Sequence, residues 1–164
     1  MPETVDVSGS SRSGSAPTAR ALRILLVEDV VEDRKLFALA LRRGGVDADI
    51  RECRRAEEAL EILAEATDYD LVVTDHHLPG MEGLELCEQL LANGETPYAV
   101  VLLTGAGSET VAVQALKAGV HEYVAKGSVG YLDLLPVVLP EAVSRHQAHV
   151  ARRRAEEARR LSET

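Results

Sequence analysis

Five side chains of this 164-residue chain have types and an order that suit phosphoryl chemistry. Glu28 and Asp29 follow the apolar run Ile24-Leu25-Leu26-Val27. Asp75 follows Leu71-Val72-Val73-Thr74, Thr104 follows Ala99-Val100-Val101-Leu102-Leu103, and Lys126 follows Glu122-Tyr123-Val124-Ala125. Each polar group therefore stands where an apolar run ends. Three carboxylates brought together repel one another unless a cation sits among them. A set of oxygen ligands with room for water favours Mg²⁺ or Mn²⁺. With its charge offset, one carboxylate can attack phosphorus and form an acyl phosphate. An ammonium can pair with the phosphoryl oxygens and a hydroxyl can donate to one of them. Singly, each residue is explained as a cap, a turn residue or a solvated charge. Five of them in order on successive runs are not.

The elements that must position this set are legible in the hydrophobic pattern. The continuous apolar runs 24–27, 71–74 and 99–103 suit strands buried on both faces, and 122–125 suits a fifth strand. Ala48, Ile50 and Glu52 suggest a more polar strand near a sheet edge. Between the strands lie helical stretches: about 30–43, with Asp29 as its cap and Gly44-Gly45 as its stop; one with Ala56, Ala59, Leu60 and Leu63 on a stripe; one with Leu84, Cys87 and Leu91, ended by Asn93-Gly94; and one opened by Ser108 and stopped by Gly119. Five strand–helix repeats imply a parallel sheet with helices on both faces and right-handed crossovers. Ligands of such sheets bind outside the carboxyl ends of the strands, where the five residues stand. A helical C-terminus follows, and Pro136 and Pro140 predict that it starts late or kinks.

With these elements in view, the motifs resemble one family. Leu25-Leu26-Val27-Glu28-Asp29 resembles the first strand and acidic pair of receiver domains of bacterial two-component response regulators. Asp75-His76-His77-Leu78-Pro79-Gly80-Met81-Glu82-Gly83 resembles their phosphoacceptor loop, Leu103-Thr104-Gly105 their hydroxyl motif, and Tyr123-Val124-Ala125-Lys126 their aromatic-x-x-Lys motif. The resemblance covers about residues 22–143. It implies a flavodoxin-like, doubly wound α/β fold with a five-stranded parallel sheet in the order 2-1-3-4-5, an order for which a member of this family is a standard illustration. It implies that Asp75 is the phosphoacceptor, and that Glu28, Asp29, Asp75 and the backbone carbonyl of His77 hold Mg²⁺. Lys126 and Thr104 would hold the phosphoryl group, and Thr104 and Tyr123 would form the switch. The family often has proline after the lysine; here Gly127 follows, which puts the shape of that loop in question.

The implied function is a phosphorylation-controlled binding module, not an enzyme, that takes its phosphoryl group from a sensor histidine kinase or a phosphotransfer protein and changes its 4-5-5 face. The alternative is a regulatory receiver fragment of a larger output protein: a cyclase, phosphatase or hybrid sensor kinase. A hydrolase that forms an aspartyl phosphate would carry a second acid two residues after Asp75, where His77 stands. His76-His77 offers two adjacent imidazoles, but the sequence shows no third ligand for zinc. His146 and His149 read as solvated helix residues.

Composition narrows the reading further. Residues 21–143 carry 10 Lys/Arg against 22 Asp/Glu, an acidity that argues against direct nucleic-acid binding. No apolar run is long enough to span a membrane, and the N-terminus lacks an apolar signal region, so a cytoplasmic protein is expected. Cys53 and Cys87 lack metal-ligand spacing and read as core residues of a reducing compartment. The expected organisation is a flexible arm over 1–20, a receiver domain over 21–145, and a helical extension or connector over 146–164. That extension carries five Arg against three Glu. With the 4-5-5 face it is expected to contact an output domain or a second copy in a weak homodimer.

Overall fold

The structure, a computed structural model, describes residues 20–105 and 109–163. Residues 1–19 of the expected arm over 1–20 and the proposed opening residue Ser108 lie outside them. Five strands and five helices alternate: β1 (Leu22–Val27), α1 (Val31–Arg43), β2 (Ala48–Cys53), α2 (Ala56–Glu65), β3 (Leu71–Asp75), α3 (Gly83–Leu90), β4 (Ala99–Thr104), α4 (Glu109–Ala118), β5 (Glu122–Ala125) and α5 (Tyr131–Ser162). All strand pairs are parallel, and the order is β2-β1-β3-β4-β5, as the motifs imply.

The continuous apolar runs become the interior of the sheet. β3 and β4 are buried along their whole length, while β2, at the edge, is exposed or half-buried up to Glu52 and buried only at Cys53. Successive strand side chains point to opposite faces, so the sheet feeds two cores. On one face Leu25, Val27, Val72, Val100 and Leu102 pack with Ala59 and Ile62 of α2 and Leu86 and Cys87 of α3. On the other, Ile24, Leu26, Leu71, Val73 and Val101 pack with Phe37 and Leu41 of α1 and Leu135 and Leu139 of α5. Both cysteines are free and buried.

Three local expectations change. Asp29 does not cap α1: Val30 occupies the cap position, with no side-chain cap bond there, and its N–H donates to Glu28 Oε1 (3.2 Å). The Glu28 side chain turns back to accept the N–H of the cap residue itself. The final helix does not start late. It begins at Tyr131 behind left-handed Gly130 and runs 32 residues with Pro136 and Pro140 inside it. Gly44 makes room for that course, because a Cβ there would overlap the Pro136 ring. Pro136 and Pro140 lack the N–H groups that would have reached back to the Leu132 and Pro136 carbonyls. His146 is not solvated. It is buried on α5, and its Nε2 lies 2.7 Å from the Thr96 carbonyl oxygen, to which it donates. It is the last buried residue of α5, one position past the domain edge expected at 145. Among the described residues, no helix is long and apolar enough to cross a membrane.

Candidate functional site

The parallel register sets the site. Asp75 pairs with Leu103 and Thr104 with Ala125, so the ends of β3, β4 and β5 meet at one edge of the sheet. β1 lies on the other side of β3, with Val27 opposite Thr74, and delivers Glu28 to the same place. Glu28, Asp75 and Thr104 are all buried.

Lys126 stands at the centre. Its Nζ lies 2.9 Å from Glu28 Oε2, 3.1 Å from Asp75 Oδ2 and 3.2 Å from Asp33 Oδ2. Its backbone N–H donates to the Thr104 carbonyl (2.7 Å), which fixes the root of the side chain. Burial works against the ammonium, but the Glu28 hydrogen bond and the charges of Asp75 and Glu28 outweigh it and raise its pKa. For Glu28 burial acts in the opposite direction. Burial pushes its carboxyl up; the Lys126 hydrogen bond pulls it down and nearby Asp75 raises it again, leaving it at about 7. Carboxylates are thus crowded beyond what one ammonium neutralises.

Ligand oxygens of Glu28, Asp33 and Asp75 all lie within 4.8 Å of one another. This donor set is hard and all-oxygen, and it is underneutralised, so its chemistry fits Mg²⁺ or Mn²⁺. Asp33 was not singled out in the sequence. It lies in the first turn of α1, where an acid is ordinarily read as a partner of the helix dipole. The usable signal was its spacing, about one helical turn past Asp29. Asp29 is exposed and is not among these clustered carboxylates. Thr104 Oγ1 is buried with no hydrogen-bond partner among the described residues. Tyr123 is half-buried on β5 opposite Leu102. Every peptide bond among the described residues is trans, the one before Gly127 included.

The loop that follows Asp75 is pinned at both ends. The His76 N–H donates to the Leu103 carbonyl (2.8 Å), and the Gly83 N–H donates to the His76 carbonyl (2.9 Å). Gly83 is required by close approach, since a Cβ there would overlap the Asp75 carbonyl. The structure supplies the third neighbour that the two histidines lacked in sequence: His76, His77 and Glu82 come within 4.8 Å of one another. Buried His76 is nevertheless committed elsewhere. Its Nδ1 accepts the Leu84 N–H (3.3 Å), so Nε2 carries the proton in the neutral ring and faces Glu82 at 3.7 Å. It serves as an N-terminal partner of α3. His77 is exposed, and its ring lies beside Gly105.

Comparison with known proteins agrees with this geometry. A family model described as the response regulator receiver domain matches residues 24–130. The transcriptional regulatory protein ResD of Bacillus subtilis is 35% identical over 104 residues, which span 63% of this chain and 41% of ResD. A chemotaxis protein CheY homolog of Campylobacter jejuni is 31% identical over 106 residues, 64% of this chain and 81% of that protein. Among solved structures, the signal receiver domain of an HD domain-containing protein from Pseudomonas fluorescens Pf-5 superposes with a TM-score of 0.69 at 25% identity, covering 84% of this chain and 97% of that one.

Proposed function

Because the chain belongs to the response regulator receiver domain family, we propose that it stores a signal as a phosphoryl group on Asp75, delivered by a sensor histidine kinase or a phosphotransfer protein. The observation that carries this reading is the Lys126 ammonium, drawn to Asp75 Oδ2 at 3.1 Å beside the buried, unpartnered Thr104 hydroxyl.

The chemistry assigns each group a task. An Asp75 carboxylate oxygen attacks phosphorus in line with the donor's leaving group. A P–O bond forms, the bond to the leaving group breaks, and the electron pair departs with that group. Lys126 stays protonated and moves its charge from carboxylate to phosphoryl oxygen. Thr104 donates to a second phosphoryl oxygen and acquires the partner it lacks. Glu28, Asp33, Asp75, Asp29 and the His77 carbonyl are the groups available to Mg²⁺, which when bound offsets the negative charge on the attacking and transferred oxygens. The inward pull on Thr104 vacates space on β4 next to Tyr123, whose rotation alters the surface of α4, β5 and α5. That surface and the exposed end of α5 would meet an output domain or a second copy. Labelling with acetyl phosphate and Mg²⁺, followed by intact mass, tests the assignment. One phosphoryl group is expected on the chain and none on Asp75→Asn; equal labelling of both overturns it.

A second reading is that this receiver regulates a larger output protein. Two facts favour it: the match covers 41% of ResD, and α5 continues well beyond the packed body as an exposed helix from 151 onward.

A further inference from the structure

The loop between β3 and α3 is fixed at its ends by His76 and Gly83 and by the buried side chain of Leu78. Its turn, Pro79-Gly80-Met81, reaches outward toward α2. There Glu57 Oε1 accepts the Met81 N–H at 2.8 Å. Gly80 has φ +78°, and a Cβ at Gly80 would come within 2.7 Å of the same Oε1. Glycine thus permits both the left-handed turn and the approach of the carboxylate. The other end of the contact is rigid. Glu57 is in the first turn of α2, between Ala56 and Ala59 in sequence, and both of those are fully buried in the core. Met81 itself packs against that core.

We propose that Glu57 is a positioning residue for the phosphoacceptor loop: its carboxylate tethers the Met81 backbone, and so fixes the direction in which the His77 carbonyl meets the metal. This rests on the site reading above. A carbonyl ligand has no side-chain rotamer of its own, so only the loop backbone can aim it. Outer hydrogen bonds that orient the groups on a metal are a large part of its affinity. The Met81 hydrogen bond, then Glu57's own backbone N–H and the charge of Arg55, hold the carboxyl below its ordinary range, so the acceptor stays ionised. An ionised acceptor makes the stronger hydrogen bond. Helix α2, which contributes no group to the carboxylate cluster, thereby enters the site through one contact.

The test uses the full chain and needs no phosphorylation. Amide exchange at Met81 reads the tether, and Mg²⁺ titration of the same NMR spectra reads its consequence. Glu57 is exposed and alanine is a good helix former, so Glu57→Ala should fold; circular dichroism checks this. In Glu57→Ala the Met81 amide should lose protection and the half-saturating Mg²⁺ concentration should rise roughly tenfold. Glu57→Gln keeps an acceptor oxygen and should stay within about twofold of the wild type. An unchanged Mg²⁺ titration in Glu57→Ala, or a glutamine variant as impaired as alanine, overturns the proposal. If the wild type binds Mg²⁺ but Asp75 takes no phosphoryl group, the phosphoacceptor reading fails and the tether stands on its titration. If the wild type binds no Mg²⁺, the tether falls with the metal reading.

Discussion

Thr104 keeps a hydroxyl at 0% exposure without a partner among the described residues. Leaving such a group unsatisfied costs about 1–3 kcal/mol, so replacing it by an apolar group of the same shape should cost nothing. Thr104→Val is therefore expected to match or slightly exceed the wild type in urea denaturation, while losing the shift changes near Tyr123 when Asp75 is phosphorylated. A clear loss of stability would show that the hydroxyl has a partner in the resting state. Gly83 is the opposite case. A methyl group there would overlap the Asp75 carbonyl, which is backbone and cannot rotate away. Gly83→Ala should cost about 1–3 kcal/mol, as overpacking does, and displace α3 from the end of β3. A denaturation midpoint equal to the wild type would show that the loop can yield.

At the scale of elements, what was legible in the sequence and what was not divide along one physical line. Strands buried on both faces announce themselves as continuous apolar runs, so β1, β3, β4 and the residues that follow them could be read directly. Contacts between elements distant in sequence leave no such pattern. Asp33 looks like an ordinary first-turn acid until β5 brings Lys126 to it, and Glu57 like a solvated helix residue until the loop after β3 arrives. Pro136 reads as a breaker because nothing near it in sequence shows that Gly44 accommodates its ring. His146 reads as solvated for the same reason. In the fold its ring meets His121 edge-on, with centroids 4.8 Å apart, at the start of β5. That junction titrates. His121 Nδ1 accepts the Val100 N–H of β4 (2.9 Å), while His146, His149 and Arg145 approach from α5. Burial, then the neighbouring His146, lowers its pKa to about 4 from 6.5. The unfolded chain binds this proton more readily than the native one. The stabilisation is thus complete above pH 6.5 and is lost as pH falls toward 4. The loss attributable to this group is at most about 3 kcal/mol. His121→Asn keeps an acceptor for Val100 and should flatten urea stability between pH 5 and pH 7.5; a wild-type slope in the variant would place the titration elsewhere. The cores themselves should resist chemistry: burial pushes the Cys53 and Cys87 thiols up to about 12, so neither should react with iodoacetamide until the chain unfolds.

The whole molecule joins an acidic α/β body to a helix about 48 Å long. The body holds this helix past its last buried residue, because Glu95 pairs with His149 (3.7 Å) and with Arg153 (2.8 Å). Residues 151–163 are exposed, and Ala151, Ala155 and Ala158 offer little area to bury. Any association through this end should be weak, with light scattering showing a mass that rises with concentration for the whole chain and less so for one ending at Arg153. Identical monomer masses for both would remove self-association and leave the connector to an output domain. These larger motions matter only if the sheet edge does the chemistry assigned to it, and that can be read at a single residue. Borohydride reduces an acyl phosphate to an alcohol, so reduction after treatment with acetyl phosphate and Mg²⁺ converts the modified aspartate to homoserine. Peptide sequencing by tandem mass spectrometry is expected to place homoserine at position 75 alone, and to find none without Mg²⁺. Homoserine at another aspartate, or an unmodified Asp75 in a chain that has taken up phosphate, would contradict the account.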